Sequence, residues 1–549
     1  MLAARSGHVD AVRLLLDHPS ANAAAMMQHA GTDGFTAMMK AAEKGHAGVV
    51  RMFLDHRRAK PSAMLRDTGF YGLTALMLAA KSGHASAMCV LLDHPSADAA
   101  AMMQHAGVDG HTALVWAAQD GRVDAMRVLL GHPSANVAAM LVHTSDSGLS
   151  ALMLAAENGH VEAMHLLLDH PSADAAGMLM HASVDGHTSH ILAAEGGQVE
   201  AMHLLLGHPS ANAAAMGMHT TDQDDSALIL AAKSGRVAAM RLLLDHPSTD
   251  AAAMMMLEGD AADIAIVVAA QHGHVDAMRV LLDNPAADLE VMIRHTNSCG
   301  QTALMLAARS GRVGAMRALL DHPSVAPRVI MMLTDPKGLT ALGFAAGSGH
   351  VDAMRVLLDH PSINAAAAMM RSSVSGAMMM ASGWGRVDAV RLLLDHPLAD
   401  SAAMIAFRTP TGEGALTQAA RFATRARGLR TSAAPIKGTC ATLLLLLRSV
   451  PVSACDAQVA YMSSVMEVLC RGRGTAADLF SIDKPDEARD ESIRLLVQRG
   501  APVILRGDTP VISRIFRELA LLAIVSRLIN EAAVGMALSR PQQVPRNHT

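Results

Sequence analysis

Ten histidines stand in one phase of this sequence: His18, His56, His94, His132, His170, His208, His246, His322, His360 and His396. A column of imidazoles is the side-chain chemistry of a zinc site, where each ligand nitrogen approaches the ion to about 2.0–2.1 Å. The spacing argues against that use. Histidines one interval apart fall on successive packed helices, about 8–10 Å from each other, and two rings so placed cannot share an ion. The simpler role is structural, each ring closing a helical stretch and favouring its negative end. Methionine forms a second column: Met88, Met126, Met164, Met202, Met240, Met278, Met316 and Met354 share a phase, as do Met26, Met64, Met102, Met140, Met178, Met216, Met254 and Met292. Such soft side chains suit promiscuous binding surfaces, but burial between neighbouring elements is the expected use here.

Other chemistry is sparse. No HExxH, GxSxG, phosphate-binding loop or metal-spaced cysteine pair occurs, so no catalytic residue, metal or cofactor is expected. The five cysteines are odd in number and form no CxxC pair, which fits a reducing compartment better than a disulfide framework. A net charge of −5 over 549 residues gives no whole-chain argument for nucleic acid or anionic lipid. No run approaches a membrane span: 443–447 is too short, and 516–538 is broken by Arg517, Glu518, Arg527 and Glu531.

The elements that must position these side chains come from a repeat. Asp17-His18-Pro19 recurs, with small changes, from residues 55, 93, 131, 169, 207, 245, 283, 321, 359 and 395, at 38-residue intervals with a last step of 36. In the unit 108–143, Asp109-Gly110 makes a turn and Thr112 caps a first helix that Gly121 ends. Val123, Met126, Leu129 and Leu130 share one face of a second helix, which Pro133 stops. Asn136 then caps a third, short helix. Asn or Asp holds that position at 22, 98, 136, 174, 212, 250, 288, 364 and 400. Asp276, Arg279 and Asp283, at helical spacing, form part of a solvated outer ladder.

Gly72-Leu73-Thr74-Ala75-Leu76-Met77-Leu78-Ala79-Ala80-Lys81-Ser82-Gly83-His84 resembles the ankyrin pattern, and similar stretches begin at Gly110, Gly148, Gly186, Gly300 and Gly338. The resemblance covers roughly 1–408. It implies an all-α, ankyrin-like solenoid of about eleven stacked units and assigns His8, His46, His84, His160, His274 and His350 to a structural Gly-His turn. This sequence departs from the family in three ways. Its units exceed the usual length of about 33 residues, with the extra residues in segments such as 95–105, where a short third helix is expected in place of the β-hairpin finger because Ala and Met favour helix. Thr-Ala-Leu-Met replaces the family's Thr-Pro-Leu-His, so apolar packing must substitute for a bridging histidine. The unit near 260–270 lacks the Gly-x-Thr start, and the one near 375–381 is two residues short. The first unit opens inside its first helix, which leaves a truncated start or a partner-completed end as the two readings.

Beyond 408 the beat fades. A degenerate unit is expected over 409–458, with a basic insertion at 421–438 that carries Arg421, Arg425, Arg427, Arg430 and Lys437 and no acid. A helical region with a further ankyrin-like unit follows at 459–538, then a disordered tail at 539–549. The insertion is the only stretch suited to nucleic acid or anionic lipid, and it lacks interleaved aromatics.

What the resemblance implies for function is protein binding on the concave face, by the residue after each turn glycine and by the end of the first helix. In this sequence these are Phe35, Leu73, His111, Leu149, His187, Gln301 and Leu339, and Glu43, Lys44, Lys81, Gln119, Asp120, Glu157, Asn158, Lys233 and Arg309. They vary between units while the surrounding framework barely changes. The expectation is a non-catalytic, monomeric, intracellular scaffold, cytoplasmic or nuclear, for protein partners, with no small-molecule substrate. The alternative is an adaptor that selects substrates for an enzyme complex, such as a ubiquitin ligase, recruited through 409–549.

Overall fold

Hydroxyl side chains start most first helices. Thr74, Thr112, Ser150, Ser226 and Thr302 each accept the backbone N–H of the residue three positions on, at 3.3–3.4 Å; such a cap is worth about 1 kcal/mol. The helix Ala75–Ser82 shows how these helices end: Gly83, at φ +80°, lets the chain turn while its N–H and that of His84 close the last carbonyls. Ala85–Leu92 then returns antiparallel, and Asp98 caps the third helix, Ala99–Gln104, through the Ala101 N–H.

The computed structural model describes residues 1–362 and 367–396, together with Met404, Ala415 and Gln418. Among these residues are 31 α-helices and no named strand, so the all-α solenoid of eleven helix pairs is present as expected. The third helix replaces the hairpin finger, whose remnant is a set of isolated bridges such as Ala106↔Thr112. Asn22, Asn136, Asp174, Asn212 and Asp250 cap their third helices as Asp98 does; 364 and 400 lie outside the described residues, as do the assignments for 409–458, 459–538 and 539–549.

The described residues divide into two compact units, one of residues 1–269 and 276–288, the other of 270–275 and those described from 289 on. In the first, Met88, Met126, Met164, Met202, Met240 and Met278 are fully buried; in the second, Met316 and Met354 are. Each such side chain contributes roughly 1.5–3 kcal/mol of burial. The other methionine column is buried as well, except at Met26 in the first unit, which is 40% exposed.

The histidine column does more than close helices. Nδ1 of His94, His132, His170 and His208 accepts the N–H of the serine two residues on, at 3.1–3.2 Å. That leaves the proton on Nε2, which faces an aspartate one unit back: Asp17 for His56 at 3.3 Å, Asp93 for His132 at 3.6 Å, Asp359 for His396 at 3.5 Å. Placed at the ends of the second helices, as expected, the rings also tie neighbouring units together. Nor does apolar packing alone replace the missing Thr-Pro-Leu-His histidine. His105, His143, His181 and His219 donate from Nε2 to the turn carbonyls of Gly72, Gly110, Gly148 and Gly186 at 2.9–3.1 Å. His46 reaches the Arg5 carbonyl one unit back, and Arg122 that of Lys81.

The irregular units compensate locally. Around 260 the turn is a 3₁₀ segment, Asp260–Ala262, with Ala261 and Ala262 at φ +57° and +58°, an alanine conformation that costs about 1–2 kcal/mol per residue. The shortened unit has no turn: third and first helices run together as Ala367–Gly383.

Candidate interaction face

Turns and first helices form one layer of each unit. The turns stack directly: Val108 N–H donates to the Tyr71 carbonyl at 3.0 Å, Val184 to Ser147 at 3.0 Å and Asp222 to Asp185 at 3.1 Å. This ladder fixes the height of each residue that precedes a cap. Phe35, Leu73, His111, Leu149, His187 and Leu339 are all half-buried there. Gln301 differs. It is buried, its N–H bonded to Asn297 Oδ1 at 2.9 Å and its Oε1 held by Arg309 at 3.5 Å. Of the helix-end residues, Lys44, Glu157, Asn158, Lys233 and Arg309 are exposed, and Glu43, Lys81, Gln119 and Asp120 half-buried.

In the first compact unit the structure brings several of these together. Lys40 bonds Asp33 at 2.8 Å and Glu43 at 3.1 Å while its ammonium stands 4.3 Å from the Phe35 ring; Glu43 also holds Lys44 at 3.0 Å. The Lys40 bond, helped by the Phe35 N–H, keeps the Asp33 carboxyl below its usual range. One unit on, Lys81 stands 3.7 Å from the centroid of Trp116, and the His111 ring lies 4.9 Å from the same indole. Lys233 reaches Asp225 at 3.8 Å. Asn158 spends its amide on the Leu154 carbonyl of its own helix. Gln301, Arg309 and Leu339 belong to the second compact unit.

Lys40, Phe70, Tyr71 and Trp116 were not anticipated on this face. The available signal was rarity. The chain holds eight Phe, two Tyr and two Trp, yet Phe35, Phe70, Tyr71 and Trp116 stand in three successive units. Phe70 and Tyr71 are 68% and 71% exposed. Trp116 occupies the place that Leu78, Leu154, Leu230 and Leu306 fill with buried leucine.

The same neighbourhood carries buried polar atoms without partners. Trp116 Nε1 and Gln119 Oε1 have none, and His111 Nδ1, 3.1 Å from Asp109 Oδ2, lacks the alignment of a hydrogen bond. Each such atom costs about 1–3 kcal/mol. Further along, His190 stands where other units have leucine. It is fully buried, bonded through Nδ1 to Thr188 Oγ1 at 2.8 Å, with Nε2 toward the Met216 backbone but outside hydrogen-bonding geometry. Burial first, then the His219 ring 6.5 Å away, hold it neutral by lowering its pKa to about 3.

Chemically this face offers rings, cations and hydrogen-bonding groups. Among the described residues no three His, Cys, Asp or Glu side chains gather as metal ligands, and no helix is long and apolar enough to cross a membrane. The family model described as ankyrin repeats (3 copies) matches residues 1–103, 60–140, 96–176, 133–215, 191–293, 253–329 and 325–404. No curated protein shows a match to the chain.

Proposed function

As the chain belongs to the ankyrin repeat family, whose repeats are generally modules for binding other proteins, we propose that it is a non-catalytic scaffold that holds protein partners on the face of turns and first helices. The observation that carries this reading is a contrast within each unit. Second helices and third helices repeat the same buried methionines and the same Asp–His bridges, whereas the turn and helix-end positions change from Phe35 to Leu73 to His111 and from Glu43 to Lys81 to Gln119. A shared frame with individual contacts is how a repeat array presents a specific surface. Thiols left free at Cys89 and Cys299 support placing it inside the cell, in the cytoplasm.

The test is a pair of pull-downs from native lysate, with 1–408 and 409–549 as separate baits identified by mass spectrometry. The scaffold reading expects defined proteins on 1–408, lost when Lys81, Glu157 or Arg309 is reversed in charge. Recovery of an enzyme complex on 409–549 alone would replace it with the adaptor reading. Capture on 409–549 that falls steeply with salt and vanishes on neutralising Arg421, Arg425, Arg427, Arg430 and Lys437 would point to nucleic acid or anionic lipid at 421–438.

A further inference from the structure

Exposed aromatic rings, a cation without a carboxylate and buried polar atoms without partners all fall on the turns and first helices of three successive units, from Phe35 to Trp116. Phe70 and Tyr71 leave large apolar rings in water, and aromatic side chains so displayed are the commonest anchors of protein interfaces. Two of the acids on this layer are held by cations, Asp33 and Glu43 by Lys40 and Glu43 also by Lys44. Lys81 has no acid of its own. Among the described residues no carboxylate comes within ion-pair distance of its ammonium, which rests on the Trp116 indole. Beneath it, the indole N–H is a donor without an acceptor and Gln119 Oε1 an acceptor without a donor. An extended backbone supplies both missing groups, a C=O and an N–H.

Resting on the reading of this face as a protein-binding surface, we propose that the Phe35–Trp116 stretch takes an extended protein segment in which an acidic side chain stands next to a bulky apolar one. The acid draws the Lys81 ammonium off the indole, the segment's backbone carbonyl accepts from Trp116 Nε1, a backbone N–H donates to Gln119, and the apolar side chain packs on Phe70 and Tyr71. Asp120 has no cation partner either among the described residues, so the acid belongs at the Lys81 end of the segment.

The experiment pans random linear peptides on phage against the full chain, then follows one recovered peptide by its affinity and by the indole N–H resonances of nitrogen-15-labelled protein. The Trp116 signal is the one missing from Trp116→Leu. Recovered peptides are expected to carry Asp or Glu beside Phe, Tyr, Trp, Leu or Met, and their addition to shift the Trp116 signal. Trp116→Leu should raise Kd about tenfold or more, and Lys81→Glu should turn the preference toward Lys and Arg. Both substitutions install what other units already carry at the same place, Leu78 and Leu154 in one case, Glu157 and Glu195 in the other, so the fold is retained. Enrichment without an acidic preference, no enrichment, or affinity unchanged by either substitution overturns the proposal. Peptides lost only on Glu157→Lys or Lys233→Glu would also overturn it, yet leave the wider face as a protein-binding surface.

Discussion

Two layers run through every regular unit, and they obey different rules. The layer of second and third helices repeats itself: methionine at 126, 164, 202 and 240 is fully buried each time, and the Asp–His bridge recurs at 3.3–3.9 Å. The layer of turns and first helices holds the exceptions. His190 replaces a core leucine, Trp116 another, and the buried atoms left without partners in His111, Trp116, Gln119, Ser189 and His190 all lie there. A frame held by recurring joints tolerates local cost in the layer where the residues vary. Residues retained at such cost are the ones to examine for function.

The contrast breaks most sharply if the frame is weakened first. Met202→Ala should lose about 2–5 kcal/mol, read as a lower urea midpoint, because a fully buried side chain leaves a cavity between units. His190→Leu should work in the opposite sense, gaining about 1–3 kcal/mol by removing a buried atom without a partner. It should also flatten a pH dependence. The ring stays neutral when folded but protonates near 6.5 when unfolded, so between about 6.5 and 3 only the unfolded chain takes the proton. Stability from this residue is full above that window and falls through it by up to ~1.4 kcal/mol per pH unit; urea midpoints near neutrality and two pH units lower, with and without the substitution, measure the slope. Asp174→Ala should lose about 1 kcal/mol and speed amide exchange at Gly177, whose N–H it caps at 3.1 Å. Glu157→Lys, on the exposed variable layer, should move stability by less than about 0.5 kcal/mol.

The frame was legible in the sequence because it is periodic. The 38-residue beat, the Asn or Asp caps and the methionine phase each state a local rule many times over, and the structure follows them. What escaped was polar and non-local. Nothing in one unit announces that His132 will meet Asp93, or that His105 will reach Gly72, since each bond depends on how neighbours stack. The fusion of Ala367–Gly383 follows from a missing turn signal, which read in sequence only as a short unit. On the variable face, spacing put Lys81 and His111 in this layer but said nothing of the indole between them. Trp116 sits at a leucine position of the repeat and was absorbed into the core pattern; its rarity was the cue. Gln301 shows the reverse error, a residue assigned outward by register that turns in to Arg309 and Asn297.

The most direct test of the division into frame and face uses the full chain as bait in native lysate, beside two variants. One carries Lys81→Glu and Glu157→Lys on the turn and first-helix layer. The other carries Arg127→Glu and Arg279→Glu on the outer side of the second helices, where the pairs with Asp124 and Asp276 are exposed. Loss of the captured proteins from the first variant and their retention by the second is the predicted result. Retention by the first and loss from the second would contradict the account, placing the binding surface on the layer assigned here to the frame.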